Sequence, residues 1–117
     1  MKLKPAEIDR FIKQPPDTVR AALIYGPDLG LVRERGGKML RALTDTPDDP
    51  FSVADLEESV LKGDPARLAD EAGAVAMFGG RRVVRVRDAG EAAAKALKSY
   101  LEQPGDGFVI LEAGDLT

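Results

Sequence analysis

Two large apolar side chains stand beside two glycines and two arginines in the stretch Ala76-Met77-Phe78-Gly79-Gly80-Arg81-Arg82. This stretch lies where a helical pattern gives way to a strand pattern. Met adapts to irregular cavities and Phe offers a large apolar area, so an exposed Met-Phe pair suits insertion into a pocket of a partner protein. The pair is therefore the first candidate for a binding function.

The preceding helical pattern supports this interpretation of Met77 and Phe78. Asp64 suits an N-cap and Pro65 the first helical position. If the helix continues at about 100° per residue, Met77 and Phe78 fall more than about 100° from the centre of its apolar stripe. Equally open is a helix that ends near Gly73, with both side chains folded back into the core, since Met and Phe are frequently buried. The stripe consists of Leu68, Ala69, Ala72, Val75 and Ala76.

The loop at residues 26–30 is the second candidate, because it lies between an apolar strand and a helix. Glycine loops in that position bind phosphate groups. The phosphate-binding pattern G-x-x-x-x-G-K-[S/T] requires a glycine, a lysine and a hydroxyl where this chain has Leu31, Val32 and Arg33. We therefore interpret the loop as a turn built from Gly, Pro and Asp. A degenerate nucleotide- or phosphate-binding α/β domain remains the alternative function.

Residue types exclude most catalytic and metal sites. The chain has no Cys and no His, which removes thiolate ligands, the usual zinc ligand and the usual general base. The serines therefore have no histidine to activate them. Adjacent acidic residues point in different directions and are typical of solvated faces. A magnesium site made of Asp28, Asp55 and Glu112 at strand ends is a minor alternative. We expect no intrinsic catalysis, no cofactor and no metal.

Charge and length limit the classes of partner. The net charge of −3 does not favour binding of polyanions by the whole domain. Its one basic cluster has two interpretations, a solvent-facing strand edge or a surface that steers an acidic partner. No apolar run approaches the roughly 20 residues that span a bilayer, and no signal peptide is evident, so we expect a cytoplasmic protein. The cluster consists of Arg81, Arg82, Arg85 and Arg87.

Helical and strand patterns alternate along the 117 residues, which suit one domain. Alternation with short loops predicts an α/β sandwich around a mainly parallel sheet. Asp88 is expected to cap a helix whose buried face carries Ala93, Leu97, Tyr100 and Leu101. The predicted elements are a helix at 4–12, a buried strand at 21–25, a helix at 29–43, a strand at 51–56, a helix from 64, a strand at 82–87, the helix after 88 and a buried strand at 108–111.

Three stretches of this chain resemble the delta subunit of bacterial DNA polymerase III, a clamp-loader subunit. Their order and spacing match over essentially the whole chain, as the first domain of that longer protein. We therefore expect residues 1–117 to form one domain, the clamp-binding first domain of a longer chain. The stretches are residues 1–8, Leu23-Ile24-Tyr25-Gly26-Pro27-Asp28 with Leu31-Val32-Arg33-Glu34, and Met77-Phe78-Gly79-Gly80-Arg81-Arg82.

The resemblance implies a fold, a partner and a site. The fold would be an AAA+-like (P-loop NTPase-like) three-layer sandwich with a mainly parallel sheet and no functional Walker A sequence. The family's Leu/Met-Phe pair inserts into a hydrophobic pocket of the sliding clamp and helps to open the ring. Met77 and Phe78 match that pair, with Gly79, Gly80, Arg81 and Arg82 as the supporting flank. Further implied partners are other clamp-loader subunits through domains outside this chain, and DNA in the full assembly only.

Two departures from the family's pattern bear on affinity. Methionine stands at position 77, where leucine is common in the family. Gly79-Gly80 replaces a typical Ala-Ser pair, and the added backbone freedom makes ordering on binding less favourable.

Overall fold

The structure is a computed structural model that describes residues 3–16, 18–74 and 81–114. Within these residues helices and strands alternate along the chain. Their bounds are α1 Pro5–Lys13, β1 Ala21–Tyr25, α2 Leu29–Leu43, β2 Val53–Glu57, α3 Glu58–Gly63, α4 Ala66–Gly73, β3 Val83–Arg87, α5 Glu91–Glu102 and β4 Phe108–Ala113.

The four strands form one parallel sheet in the order β1-β4-β3-β2. β4 lies inside the sheet and is buried along its whole length. This arrangement confirms the predicted α/β class and the mainly parallel sheet. The prediction that β1 is a buried strand is wrong. Among the described residues β1 pairs with β4 alone, so it is an edge strand, and Leu23 remains 48% exposed.

Helices cover both faces of the sheet and divide the core in two. One cluster joins α3, α4 and α5 to one face, and the other joins α1 and α2 to the opposite face. The sequence pattern of β3 predicts Val84 and Val86 on one face of the sheet and Val83 on the other. This is confirmed, because Val84 and Val86 belong to the first cluster and Val83 to the second. The result is a three-layer sandwich, and none of the described helices is both long and apolar enough to cross a membrane.

Apolar residues at helical spacing predict one buried stripe on α1 and one on α2. The α1 stripe consists of Ile8, Phe11 and Ile12, and the α2 stripe of Val32, Gly36, Met39, Leu40 and Leu43. Ile12 of α1 is buried, and Ile8 and Phe11 pack against the same cluster. α2 begins after Asp28, whose carboxylate accepts a hydrogen bond from the backbone N–H of Leu31 at 3.1 Å. The predicted α2 stripe is confirmed except at Leu43, which is only half-buried. Its buried members are Val32, Gly36, Met39 and Leu40.

In the helical layer formed by α3, α4 and α5, the structure differs from the prediction at α5. Asp88 does not cap this helix, because it occupies the preceding turn with a φ of +55° and the helix begins at Glu91. The buried face runs through Ala93, Ala96 and Tyr100, which leaves Leu101 on an exposed flank. The predicted burial of Leu101 is therefore wrong.

The connection before β2 is a turn and not the start of a strand. The backbone N–H of Ser52 donates to the carbonyl of Asp49 at 2.9 Å, and the N–H of Phe51 donates to the Asp49 carboxylate at 2.9 Å. β2 therefore begins at Val53. It passes directly into α3, a short helix that the sequence analysis did not predict.

Candidate functional site

The helix that precedes the Met-Phe pair ends before reaching it. α4 ends at Gly73, and Ala74 has extended dihedral angles of φ −67° and ψ 148°. The angular argument for an exposed pair assumed a continuous helix, so that argument no longer applies. The helix end agrees with the competing interpretation, but Met77 and Phe78 lie outside the described residues, as do Gly79 and Gly80.

Arg82 follows this segment and is directed into the molecule. Its side chain is only 9% exposed. Nε donates to the carbonyl of Glu71 at 2.6 Å, Nη2 donates to the carboxylate of Glu71 at 2.8 Å, and Nη1 donates to the carbonyl of Pro50 at 3.1 Å. One guanidinium thus joins the last turn of α4, the turn before β2 and the start of β3. The steering interpretation does not suit Arg82, because its charge is buried and paired.

Glu71 is the acidic partner in this network. Its carboxylate accepts hydrogen bonds from Arg67 at 2.9 Å and from Arg82 at 2.8 Å. The hydrogen bond from Arg67, followed by that from Arg82, holds the pKa of Glu71 below its ordinary value against the opposing effect of burial. The carboxylate therefore stays ionised and bridges two guanidinium groups at the end of α4.

Arg81 anchors the same point of the chain on a different side. Its Nε donates to the carbonyl of Asp106 at 3.0 Å, and its Nη2 donates to the carbonyl of Val19 at 2.9 Å. The guanidinium carbon lies 5.0 Å from the centre of the buried Phe108 ring, a distance at which a cation–π interaction is favourable. Arg81 and Arg82 together fix the chain at the point where it enters β3.

The remaining arginines of the predicted basic cluster do not share a surface with these two. Arg85 pairs with the buried Glu112 beneath α2. Gly36 makes room for this pair, because a Cβ atom there would collide with the Glu112 carboxylate. Arg87 is exposed beside Asp55, with 4.0 Å between Nη2 and Oδ1. The prediction of one basic surface is wrong, because β3 is an interior strand that pairs with β2 and β4.

A shallow groove lies beside Arg81, at the C-terminal ends of α1 and α2. Its volume is about 460 Å³. Its lining contains both apolar and cationic side chains. One of the cationic groups, the Arg81 guanidinium, donates hydrogen bonds to the carbonyls of Asp106 and Val19. The groove reaches the start of β3 through Arg81. It is lined by Lys13, Gln14, Pro15, Ala42, Leu43 and Arg81.

The loop after β1 carries its own anion. The carboxylate of Asp28 accepts a hydrogen bond from the backbone N–H of Leu31 at the N-terminus of α2. In a functional phosphate-binding loop, the phosphate would bind at this position. A second negative charge there would be repelled.

Among the residues that the structure describes, no three carboxylates are arranged to hold a metal ion. The magnesium site suggested for Asp28, Asp55 and Glu112 is therefore wrong, because Glu112 pairs with Arg85 beneath α2.

The fold of this chain has a counterpart among solved structures. No family model matches this chain, and no curated protein matches it. A solved structure shares its fold. It is the crystal structure of a DNA polymerase III, gamma subunit-related protein from Thermotoga maritima, with a TM-score of 0.63 and 20% identity over 93% of this chain. The match supports the predicted α/β sandwich around a parallel sheet, and this chain spans 38% of the length of that protein.

One surface residue near the start of β3 was missed by the sequence analysis. The sequence pattern predicts that Phe51 begins a half-buried strand at 51–56, yet 52% of Phe51 is exposed. The signal that could have revealed it is the Pro47-Asp48-Asp49-Pro50 run, which is typical of a turn that continues past its second proline.

Proposed function

We propose that this chain is a clamp-binding module of a DNA replication machine, equivalent to the first domain of the delta subunit of bacterial DNA polymerase III. In this proposal Met77 and Phe78 form a hydrophobic plug that enters a pocket of the sliding clamp and helps to open the ring. Support comes from the three matching sequence stretches and from the fold shared with a DNA polymerase III gamma subunit-related protein.

The observation that carries the proposal is the anchoring on both sides of residues 75–80. α4 packs into the core through Leu68 and Ala72 before the segment, and Arg81 and Arg82 fix the chain after it. A short segment between two fixed ends has fewer conformations to lose on binding than a long tether. This anchoring offsets part of the freedom that Gly79 and Gly80 add. In this proposal the supporting flank has two parts. Gly79 and Gly80 supply backbone freedom, and Arg81 and Arg82 anchor the chain that follows them.

The chemistry of the plug sets the size of the expected effect. Removing a Phe and a Met side chain from water contributes a few kcal/mol, at about 25 cal/mol per Å² of apolar area. Loss of about 3 kcal/mol corresponds to a weakening of binding by roughly two orders of magnitude. No bond is made or broken, so the module acts by recognition and has no catalytic step of its own.

The proposal extends to the assembly. Other clamp-loader subunits would contact this protein through domains outside the 117 residues, and DNA would be contacted only in the full assembly. The site of action would be the cytoplasm, as part of the DNA polymerase III holoenzyme. No cofactor is required by this role.

The test is binding to the purified sliding clamp of the source organism. We expect Met77→Ala with Phe78→Ala to weaken binding at least about 100-fold in surface plasmon resonance, with unchanged circular dichroism and melting temperature. The matched control replaces Leu29 and Leu31, which are 44% and 40% exposed at the start of α2, with alanine. The proposal is wrong if the Met77/Phe78 variant binds like the wild type. It is also wrong if this variant unfolds, because the pair would then belong to the core.

A further inference from the structure

We infer that the buried ion pair of Arg85 and Glu112 selects the register of α2, that is, its position along the sheet. Arg85 lies in β3 and Glu112 in β4, and α2 packs against both strands. The two side chains are 15% and 2% exposed, so the pair lies between the helix and the sheet and away from solvent. The inference concerns how this domain specifies one structure, and it does not depend on the partner that the domain binds.

One guanidinium joins α2 to the sheet. Nε of Arg85 donates to the Glu112 carboxylate, and Nη2 of Arg85 donates to the carbonyl of Arg33 in α2 at 3.2 Å. The Glu112 carboxylate fills the space beside Gly36, because a Cβ atom there would collide with it. Hydrogen bonds are directional, so both contacts are satisfied together at one position of the helix on the sheet.

The position of Gly36 makes this pair selective. Residues four apart lie on the same face of a helix. A shift of α2 by one turn in either direction would therefore bring Val32 or Leu40 to the position that Gly36 occupies. Either side chain would take the space of the Glu112 carboxylate, so the pair excludes both shifted registers.

The apolar residues of α2 make competing arrangements favourable. Leu29 and Leu31 at the start of the helix are 44% and 40% exposed, next to the buried Val32. Apolar attraction is not directional, so a shifted or rotated helix that buries these leucines would gain the same kind of energy. The glycines at 36 and 37 offer no side chain that fixes the helix by its shape. A directional polar contact distinguishes the native packing from such alternatives.

The energetics of the pair fit selection better than stabilisation. A buried ion pair repays its lost hydration only when its remaining polar atoms are also hydrogen-bonded. Among the described residues, Oε1 of Glu112 is buried and has no hydrogen-bond partner. Removing both charges together should therefore cost little stability, whereas removing one of them leaves the other buried and unpaired.

The experiment compares two double variants by thermal denaturation, NMR spectroscopy and amide hydrogen exchange. The register variant, Arg85→Met with Glu112→Leu, replaces the pair by apolar side chains of similar volume. The control variant, Arg87→Met with Asp55→Leu, removes an exposed pair between β3 and β2, in which Nη2 and Oδ1 are 4.0 Å apart.

We expect the register variant to melt at or above the temperature of the wild type. Its amides in residues 32–40 should exchange at least about tenfold faster and give broadened or doubled resonances, while those of β3 and β4 stay protected. The control variant should match the wild type in exchange and in resonances.

Each other result overturns the inference. Single sharp resonances and wild-type exchange in α2 of the register variant would show that apolar packing alone fixes the helix. A register variant that melts well below the wild type, or does not fold, would show that the pair serves stability.

Glu112→Gln separates the register of α2 from stability. Glutamine keeps the shape that excludes shifted registers but leaves the Arg85 charge buried without its counter-ion. We expect a lower melting temperature with one sharp set of α2 resonances, which is the reverse of the register variant. Doubled α2 resonances in Glu112→Gln would contradict the exclusion of shifted registers by this side chain.

Discussion

Arg82 binds Glu71 twice, through the backbone carbonyl at 2.6 Å and through the carboxylate at 2.8 Å. The first contact adds a second hydrogen bond to a carbonyl in the last turn of α4, which also accepts one from the backbone N–H of Ala74 at 3.3 Å. The second neutralises the buried charge. The Arg82 side chain, just before β3, therefore hydrogen-bonds to the last turn of α4, the helix that precedes residues 75–80.

Replacing Arg82 with leucine should destabilise the fold strongly. The change removes the hydrogen bonds that Arg82 donates to the carbonyls of Pro50 and Glu71 and its ion pair with the Glu71 carboxylate, and breaking such a buried pair costs about 3 kcal/mol. Urea denaturation followed by circular dichroism measures this loss. Arg87→Leu on the same strand is the matched control, because Arg87 is exposed and its contact with Asp55 is 4.0 Å long. We expect a loss of less than about 1 kcal/mol there. Equal losses in both variants would contradict the role of the Arg82 network.

The cap of α5 is supplied by a residue distant in sequence. The carboxylate of Glu58, in the first turn of α3, accepts hydrogen bonds from the backbone N–H groups of Gly90, Ala92 and Ala93 at 2.8 to 3.0 Å. We expect Glu58→Ala to destabilise the protein by about 1–2 kcal/mol, as for the loss of an N-cap. Asp88→Asn, at the position that the sequence favoured as the cap, should change stability little, since asparagine also tolerates a positive φ. Thermal denaturation of the two variants checks this, and the reverse order of stability would contradict it.

Stability should fall in acid because of the same carboxylate. Burial raises the pKa of Glu58, but the hydrogen bonds from Gly90, Ala92 and Ala93 outweigh burial and hold the pKa below its ordinary value of 4.5. A lowered pKa in the folded state contributes stability above pH 4.5, and this contribution disappears as the pH falls through the folded pKa. We expect the urea midpoint of the wild type to decrease below about pH 5. Glu58→Gln should flatten part of that decrease, and an unchanged profile would show that Glu58 does not contribute to it.

The contrast between Asp88 and Glu58 shows how far the sequence could predict the fold. Local patterns predicted the bounds of α2 and the face on which each β3 valine lies, because periodicity is a property of neighbouring residues. The cap of α5 joins residues 32 to 35 positions apart, and the Arg82 network joins residues up to 32 apart. Such pairings depend on the tertiary arrangement. A run of arginines gives no sign of which guanidinium is buried.

The candidate site was predictable to a smaller extent. The resemblance indicated residues 77–82, but the end of α4 at Gly73 removed the periodic argument for an exposed pair. The exposure of Leu23 and Phe51 followed from features that a pattern of apolar residues does not contain. β1 lies at an edge of the sheet, and the turn before β2 continues to Ser52.

Gly36 should not tolerate a side chain. A Cβ atom there would collide with the Glu112 carboxylate, which is buried and paired with Arg85. Alanine favours a helix over glycine by about 1 kcal/mol, but displacing a buried carboxylate from its partner costs more. We expect Gly36→Ala to lose about 2 kcal/mol in chemical denaturation. Gly63 in α3 has open space around the same position, so Gly63→Ala should leave stability unchanged or raise it by up to about 1 kcal/mol. A stable Gly36→Ala variant would mean that Glu112 is free to move.

Nucleotide should not stabilise this domain. The carboxylate of Asp28 occupies the N-terminus of α2, and the positions for the phosphate-binding lysine and hydroxyl hold Val32 and Arg33. A ligand present at one hundred times its Kd stabilises a protein by about 2.7 kcal/mol, which is readily seen as a shift in melting temperature. We therefore expect the melting temperature to be the same with and without millimolar magnesium-ATP, and isothermal titration to show no saturable heat. Asp28→Ser keeps a capping oxygen while removing the charge, so it tests whether repulsion alone excludes the phosphate. Saturable binding by the wild type would favour the degenerate nucleotide-binding domain over the clamp-binding module.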